Sequence, residues 1–117
     1  MTIIGTNAFY GCKKLSKVNG ANNVVKIGNN SFTNCGSLSS ITVSETVRII
    51  GKQAFYNCKN FKTITIKTSA LSTKTIGSNA FTGTYKKPTI KVPAKQMKTY
   101  KKLFGLKGMS SKAIYKK

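Results

Sequence analysis

The sequence predicts an α/β repeat solenoid, one parallel strand per turn of about 23 residues, closed by a single amphipathic helix. Three features predict it. A nine-residue phrase recurs four times: IGTNAFYGC (4–12), IGNNSFTNC (27–35), IGKQAFYNC (50–58) and IGSNAFTGT (76–84). After each phrase, apolar residues fall two apart with polar residues between them, the period of a strand with one buried face. From Pro93 onward the apolar spacing changes to that of a helix.

The elements follow from alignment on Phe9, Phe32, Phe55 and Phe81, whose spacings are 23, 23 and 26. A period of about 20–29 residues is that of leucine-rich repeats. The ninth residue after each Phe is Val18, Ile41, Ile64 and Ile90, and the eleventh is Gly20, Val43, Ile66 and Val92. These positions predict one strand per repeat, cut short in the first copy by Gly20. Stacked in parallel about 4.8 Å apart, the strands form inward ladders of Val18, Ile41, Ile64 and Ile90 and of Val43, Ile66 and Val92. Leu15, Leu38 and Phe61 form a third ladder where each strand starts. Val24, Ile27, Val47 and Ile50 predict a second, shorter strand in each turn. The NAFYGC stretch reads as a short helical turn on the side opposite the main strand. Gly5, Gly28, Gly51 and Gly77 mark a backbone corner or a close approach. Ala8, Ser31, Ala54 and Ala80 are small where adjacent turns pack tightly.

The phrase I-G-x-x-[AS]-F-x-x-C followed by L-x-x-I-x-[IV] resembles the BspA-like leucine-rich repeats of bacterial surface proteins. The resemblance spans about residues 3–92 and departs from the pattern at Gly20, Thr84 and Lys87. It implies a right-handed leucine-rich repeat coil. It also implies an extracellular or cell-surface location and adhesion to host matrix or to other cells.

Twenty Lys and one Arg face a single acid, Glu45, giving a net charge of +20. Such a surface attracts polyanions with a steep salt dependence. Dedicated nucleic-acid readers usually rely on Arg forks for bidentate contacts, and Arg48 is the only Arg, so nucleic acid is expected to bind only non-specifically. One acid excludes paired-carboxylate catalysis, and the lack of His excludes Ser–His and Cys–His pairs. The chain therefore reads as no enzyme and as needing no cofactor or metal. Cys12, Cys35 and Cys58 lie 23 apart at one phase of the repeat. A ladder of buried thiols is the favoured reading. A disulfide between neighbouring turns fits the spacing but leaves one Cys over, and a zinc site lacks a fourth ligand. No stretch is apolar enough to span a membrane, and the repeat starts too near Met1 to leave room for an export signal within this segment.

In the tail, Met97, Tyr100, Leu103 and Phe104 share one face of a helix over 94–104 closed by Gly105, with Lys95, Lys98, Lys101 and Lys102 opposite. A basic amphipathic helix can lie on an anionic membrane, but an open repeat end also needs a lid, and that reading is favoured. Residues 112–115, KAIY, add a short closing strand. Thr84 in the Cys position and Lys87 in the Leu/Phe position mark the fourth turn as the last. The chain thus divides into a repeat region, 1–92, and a Lys-rich C-terminal cap, 93–117; eleven of the 21 basic residues fall between Lys86 and Lys117.

Strand residues between the inward ones point outward: Lys17 and Asn19, Ser40 and Thr42, Thr63 and Thr65, Thr89 and Lys91, with Lys67 at the edge. This Ser/Thr and Lys platform is the candidate partner-binding face, although Thr also favours exposed strand positions in its own right. The sequence best fits a cell-surface interaction module, the C-terminal part of a larger secreted protein, that binds a protein or an acidic glycan. A basic nucleic-acid-binding protein and a purely structural stalk and cap are the alternatives. Ile3 and Ile4 enter the first turn with no strand ahead of them. Further turns are therefore expected upstream, or else end-to-end self-association through the N-terminal turn.

Overall fold

The computed structural model describes residues 2–18 and 22–117. Each repeat lends one strand to each of two parallel sheets. The first sheet holds β1 (Thr2–Ile4), β2 (Val24–Ile27) and β4 (Ile49–Ile50) in that order, and Ile76 continues it by a bridge to Ile50. The second holds β3 (Ser40–Val43), β5 (Thr63–Ile66), β6 (Thr89–Lys91) and β7 (Ile114–Lys116), with Lys17 bridged to Ser40. Register pairs Ile41 with Ile64 and Ile64 with Ile90, so the inward ladder runs straight. Ile41, Val43, Ile64, Ile66, Ile90 and Val92 are all buried. The expected shortening of the first strand by Gly20 lies outside the described residues.

One expectation about the ends is corrected and another is borne out. A short strand does precede the first phrase: β1 pairs with β2, because Thr2–Ile4 occupies the register that Val24–Ile27 holds one turn later. The sheet also continues beyond the fourth repeat, since β7 pairs in parallel with β6. Residues 112–115 were the sequence signal for that strand, which forms at Ile114–Lys116.

The side opposite the main sheet is no helix, contrary to the expected short helical turns. The N–H groups of Ala8, Tyr10 and Cys12 donate to the carbonyls of Gly5, Asn7 and Phe9, three residues back. The intervening N–H groups, of Asn7, Phe9 and Gly11, instead donate across to Asn29, Ser31 and Thr33 in the next turn, at 2.8–3.0 Å. The same alternation recurs from Asn30, Phe32 and Asn34 to Lys52, Ala54 and Tyr56, and from Gln53, Phe55 and Asn57 to Ser78, Ala80 and Thr82. A helix would spend these donors internally. Left-handed residues prevent it: φ is 60° at Asn7, 57° at Asn30, 53° at Gln53 and 57° at Asn79. It is again positive at Gly11, Asn34, Asn57 and Gly83, with values of 62–80°. Asn and Gly tolerate this conformation, which suits the third residue of a type II turn.

Close stacking follows. The rings of Phe9, Phe32, Phe55 and Phe81 stack with centroids 5.3, 5.3 and 5.6 Å apart and planes within 11°. Of the two roles open to the phrase glycines, close approach is the one they serve. A Cβ on Gly28 would lie 2.6 Å from the Ile4 carbonyl oxygen, and one on Gly51 would lie 2.5 Å from the Asn29 nitrogen. Gly5, in the first turn, has nothing within 4 Å. Ser31 takes the place of Ala8, Ala54 and Ala80, and its buried hydroxyl has no hydrogen-bond partner.

A 3₁₀ turn (Ala94–Gln96) leads into α1 (Met97–Leu106), which lies across the last turn. The helix buries Tyr100, Leu103 and Phe104, so its apolar face is occupied by the protein itself. Phe104 meets Phe81 with ring centroids 5.3 Å apart at 60° and ends the stack. The Phe81 N–H donates to the Lys107 carbonyl at 3.0 Å, where an inner turn would find the next repeat. Gly105 lies inside α1 rather than closing it; the left-handed glycine is Gly108, at φ 96°. The three residues by which the last spacing exceeds the others fall between Ile66 and Gly77. There the Tyr100 hydroxyl donates to the Thr68 carbonyl at 2.7 Å and accepts the Leu71 N–H at 3.3 Å. The longer loop therefore seats the helix.

These contacts give a stability series. Gly51→Ala is expected to lose about 3 kcal/mol or more, because backbone cannot yield as a flexible side chain can. Gly5→Ala, at the same place in the phrase, should stay within about 0.5 kcal/mol of the parent. Ser31→Ala should gain about 1 kcal/mol by removing an unpaired buried hydroxyl. Urea denaturation of the three variants checks all three signs.

Candidate strand-face interface

The outward residues of the second sheet fall into two rows fixed by strand register. One row runs Ser40, Thr63, Thr89 and Ile114, extended at its start by Lys17. The other runs Thr42, Thr65, Lys91 and Lys116. Parallel strands place neighbours in a row about 4.8 Å apart, and the two rows about 7 Å apart. Lys17, Thr42, Lys91 and Lys116 are exposed, whereas Ser40, Thr63, Thr65 and Thr89 are half-buried with their neighbours. Lys67 follows β5 directly, and its N–H donates to the Val43 carbonyl at 2.8 Å. Asn19 lies outside the described residues. The face thus brings together eight of the nine residues chosen from the sequence: Lys17, Ser40, Thr42, Thr63, Thr65, Lys67, Thr89 and Lys91.

Two members of the face were missed. Ile114 and Lys116 join it because β7 adds a further strand beside β6. The sequence signal was the apolar–polar alternation near the C-terminus, but the register it would adopt is invisible without the partner strand.

Charge is unevenly spread along the rows. The β3 and β5 members are hydroxyls, and the second row turns cationic at Lys91 and Lys116, which are direct register partners. Like charges opposed across strands destabilise a sheet, so an anion placed between them is favoured. Lys67, Lys91 and Lys117 also surround a shallow hollow of about 440 Å³ with Glu45 on its wall. Chemically the face can donate hydrogen bonds from hydroxyls and ammonium groups to an anionic, oxygen-rich partner. Among the described residues there is no cluster of three His, Cys, Asp or Glu side chains able to hold a metal ion.

The cysteines are free thiols and serve the stack. Cys35 donates through Sγ to the Phe9 carbonyl at 3.0 Å, and Cys58 to the Phe32 carbonyl at 2.9 Å. Each thiol therefore ties its turn to the Phe of the turn before. Thr84 in the fourth copy bonds within its own turn instead, to the Phe81 carbonyl at 3.1 Å. Burial pushes the Cys35 thiol up and the Cys58 thiol up to about 12, from an ordinary 9.0. Burial likewise raises Tyr115 to about 12, beneath the Lys101 ammonium 6.0 Å from its ring centroid.

Groups whose folded pKa exceeds the unfolded value stabilise fully below the unfolded pKa, and that stability is lost as pH rises toward the folded one. For Cys58 the window opens near pH 9 and closes near 12. Stability should therefore fall from about pH 9 upward. The decline should be shallower in Cys58→Ala, which removes this thiol alone. Urea midpoints between pH 7 and pH 10.5 for both proteins test this, and parallel curves would remove the thiol as a cause.

Residues 1–109 match a family model described as BspA type leucine rich repeat region (6 copies). No curated protein and no solved structure matches the chain.

Proposed function

The chain belongs to the BspA-type leucine-rich repeat family, and we infer that it works outside the cell as a binding module whose contact surface is the strand face. Members of the family are structural or adhesive proteins, which favours recognition over catalysis. In this reading residues 1–92 form a right-handed repeat coil, residues 93–117 close it, and the partner is a protein or an acidic glycan at a cell surface. The observation that carries the reading is the pair of register-aligned hydroxyl rows, one of which turns cationic at Lys91 and Lys116. No helix among the described residues is long and apolar enough to cross a membrane. Nucleic acid gains little on this face, where the outward rows offer Lys but neither Arg nor an aromatic platform for bases.

The geometry of the first turn disfavours pairing with a second copy through that end. Phe9 is 36% exposed there, and the carbonyls of Thr6, Ala8 and Tyr10 stand where later turns accept N–H groups. Two copies meeting face to face would oppose carbonyl to carbonyl, against the repulsion of +20 on each.

The test is charge reversal on and off the face. Lys91→Glu with Lys116→Glu is compared with Lys86→Glu and Lys112→Glu, which change net charge equally in loops. On immobilised heparin the face pair should elute at markedly lower salt than the loop pair, and both below the parent. Equal displacement of the two variants would mean that only net charge matters, and would remove the strand face as the contact surface.

A further inference from the structure

The cleft between α1 and the loop after β5 is a separate feature from the strand face. Its floor is Leu71 and Leu103, both buried, and its open wall is Leu106, which is 65% exposed although it is a large apolar residue. The hollow measures about 570 Å³, within the range of roughly 300–1,000 Å³ typical of small-molecule sites. One side exists only because of the residues inserted between Ile66 and Gly77, and the other only because α1 crosses the last turn. Tyr100 pins the two sides together beneath, bonding to both Thr68 and Leu71. The Lys107 ammonium donates to the carbonyl of Thr73, one of the lining residues, at 3.0 Å.

We propose that this cleft binds a small amphiphilic carboxylate, with its apolar body against Leu71, Leu103 and Leu106 and its carboxylate beside Lys98 and Lys102. The two lysines lie one helical turn apart and line the same cleft, so both ammonium groups reach one anionic end. The single acid of the chain, Glu45, lines a different hollow, so nothing acidic in the cleft competes for them. Charge also selects the occupant. A cationic amphiphile would meet two ammonium groups, and a second copy of the chain would bring a further +20. An uncharged apolar molecule would leave the lysines unused, and a short carboxylate would leave the leucines uncovered.

Decanoate, below its micelle concentration, is the probe, titrated into ¹⁵N-labelled full-length chain. Saturable shifts confined to residues 71–73 and 98–106 are expected. Acetate and decyltrimethylammonium should produce none there. Lys98→Gln with Lys102→Gln, both exposed, should weaken decanoate roughly three- to tenfold. Leu106→Glu, at an exposed position that leaves the fold intact, should abolish binding. The proposal is overturned if decanoate and the cationic amphiphile bind the cleft alike. It is equally overturned if decanoate gives only non-saturating shifts spread over lysines throughout the surface, including Lys91 and Lys116. Because the cleft and the strand face share no residue, this result and the heparin result are independent.

Discussion

Everything in this protein depends on how closely one turn's backbone approaches the next at Gly28, Gly51 and Gly77. The space a Cβ would need there is already filled by the preceding turn. That proximity lets alternate N–H groups of the phrase leave their own turn and bond across to the next. It also sets the spacing at which the phenylalanine rings stack, 5.3–5.6 Å between centroids. The thiols of Cys35 and Cys58 reach back to a carbonyl for the same reason. Remove the proximity and the ladder, the ring stack and the thiol bonds are lost together.

The ladder is directional. Each turn donates N–H groups forward and accepts them from behind, so its two ends differ chemically. The C-terminal end runs out of acceptors, and the chain supplies one in the Lys107 carbonyl while Phe104 covers the last ring. The N-terminal end is left with acceptors. The cap therefore does more than cover apolar surface: β7 prolongs the sheet and carries the cationic end of the strand face. Its helix and the longer loop that seats it create the cleft beneath Leu106.

Much of this was legible in the sequence, and the failures have specific causes. Four aligned copies made the strand phase and the inward ladders plain, because burial repeats at fixed offsets from each Phe. The left-handed positions were also written there, as Asn7, Asn30, Gln53 and Asn79 and as Gly11, Asn34, Asn57 and Gly83. A small residue before each Phe invited a helical reading, yet Asn or Gly at seven of these eight positions favours the left-handed conformation over a helix. The thiol phase was visible, but the carbonyl each thiol reaches depends on backbone orientation that spacing does not encode. Likewise the longer last spacing was evident, while its purpose required Tyr100, some 30 residues away in sequence, to be seen bonded to Thr68 and Leu71. Register aligns the outward strand residues read from the sequence as far as β6. Its last members waited on the register of β7.

Amide hydrogen exchange tests the central claim directly. The N–H groups of Phe32, Asn34, Phe55 and Asn57 lie in segments with no regular secondary structure, yet each donates to the next turn at 2.8–2.9 Å. They should exchange as slowly as the amides of β5, through the same global opening. Rapid exchange at these four positions, with β5 still protected, would show that the sheets hold the fold and that the turn-side ladder does not.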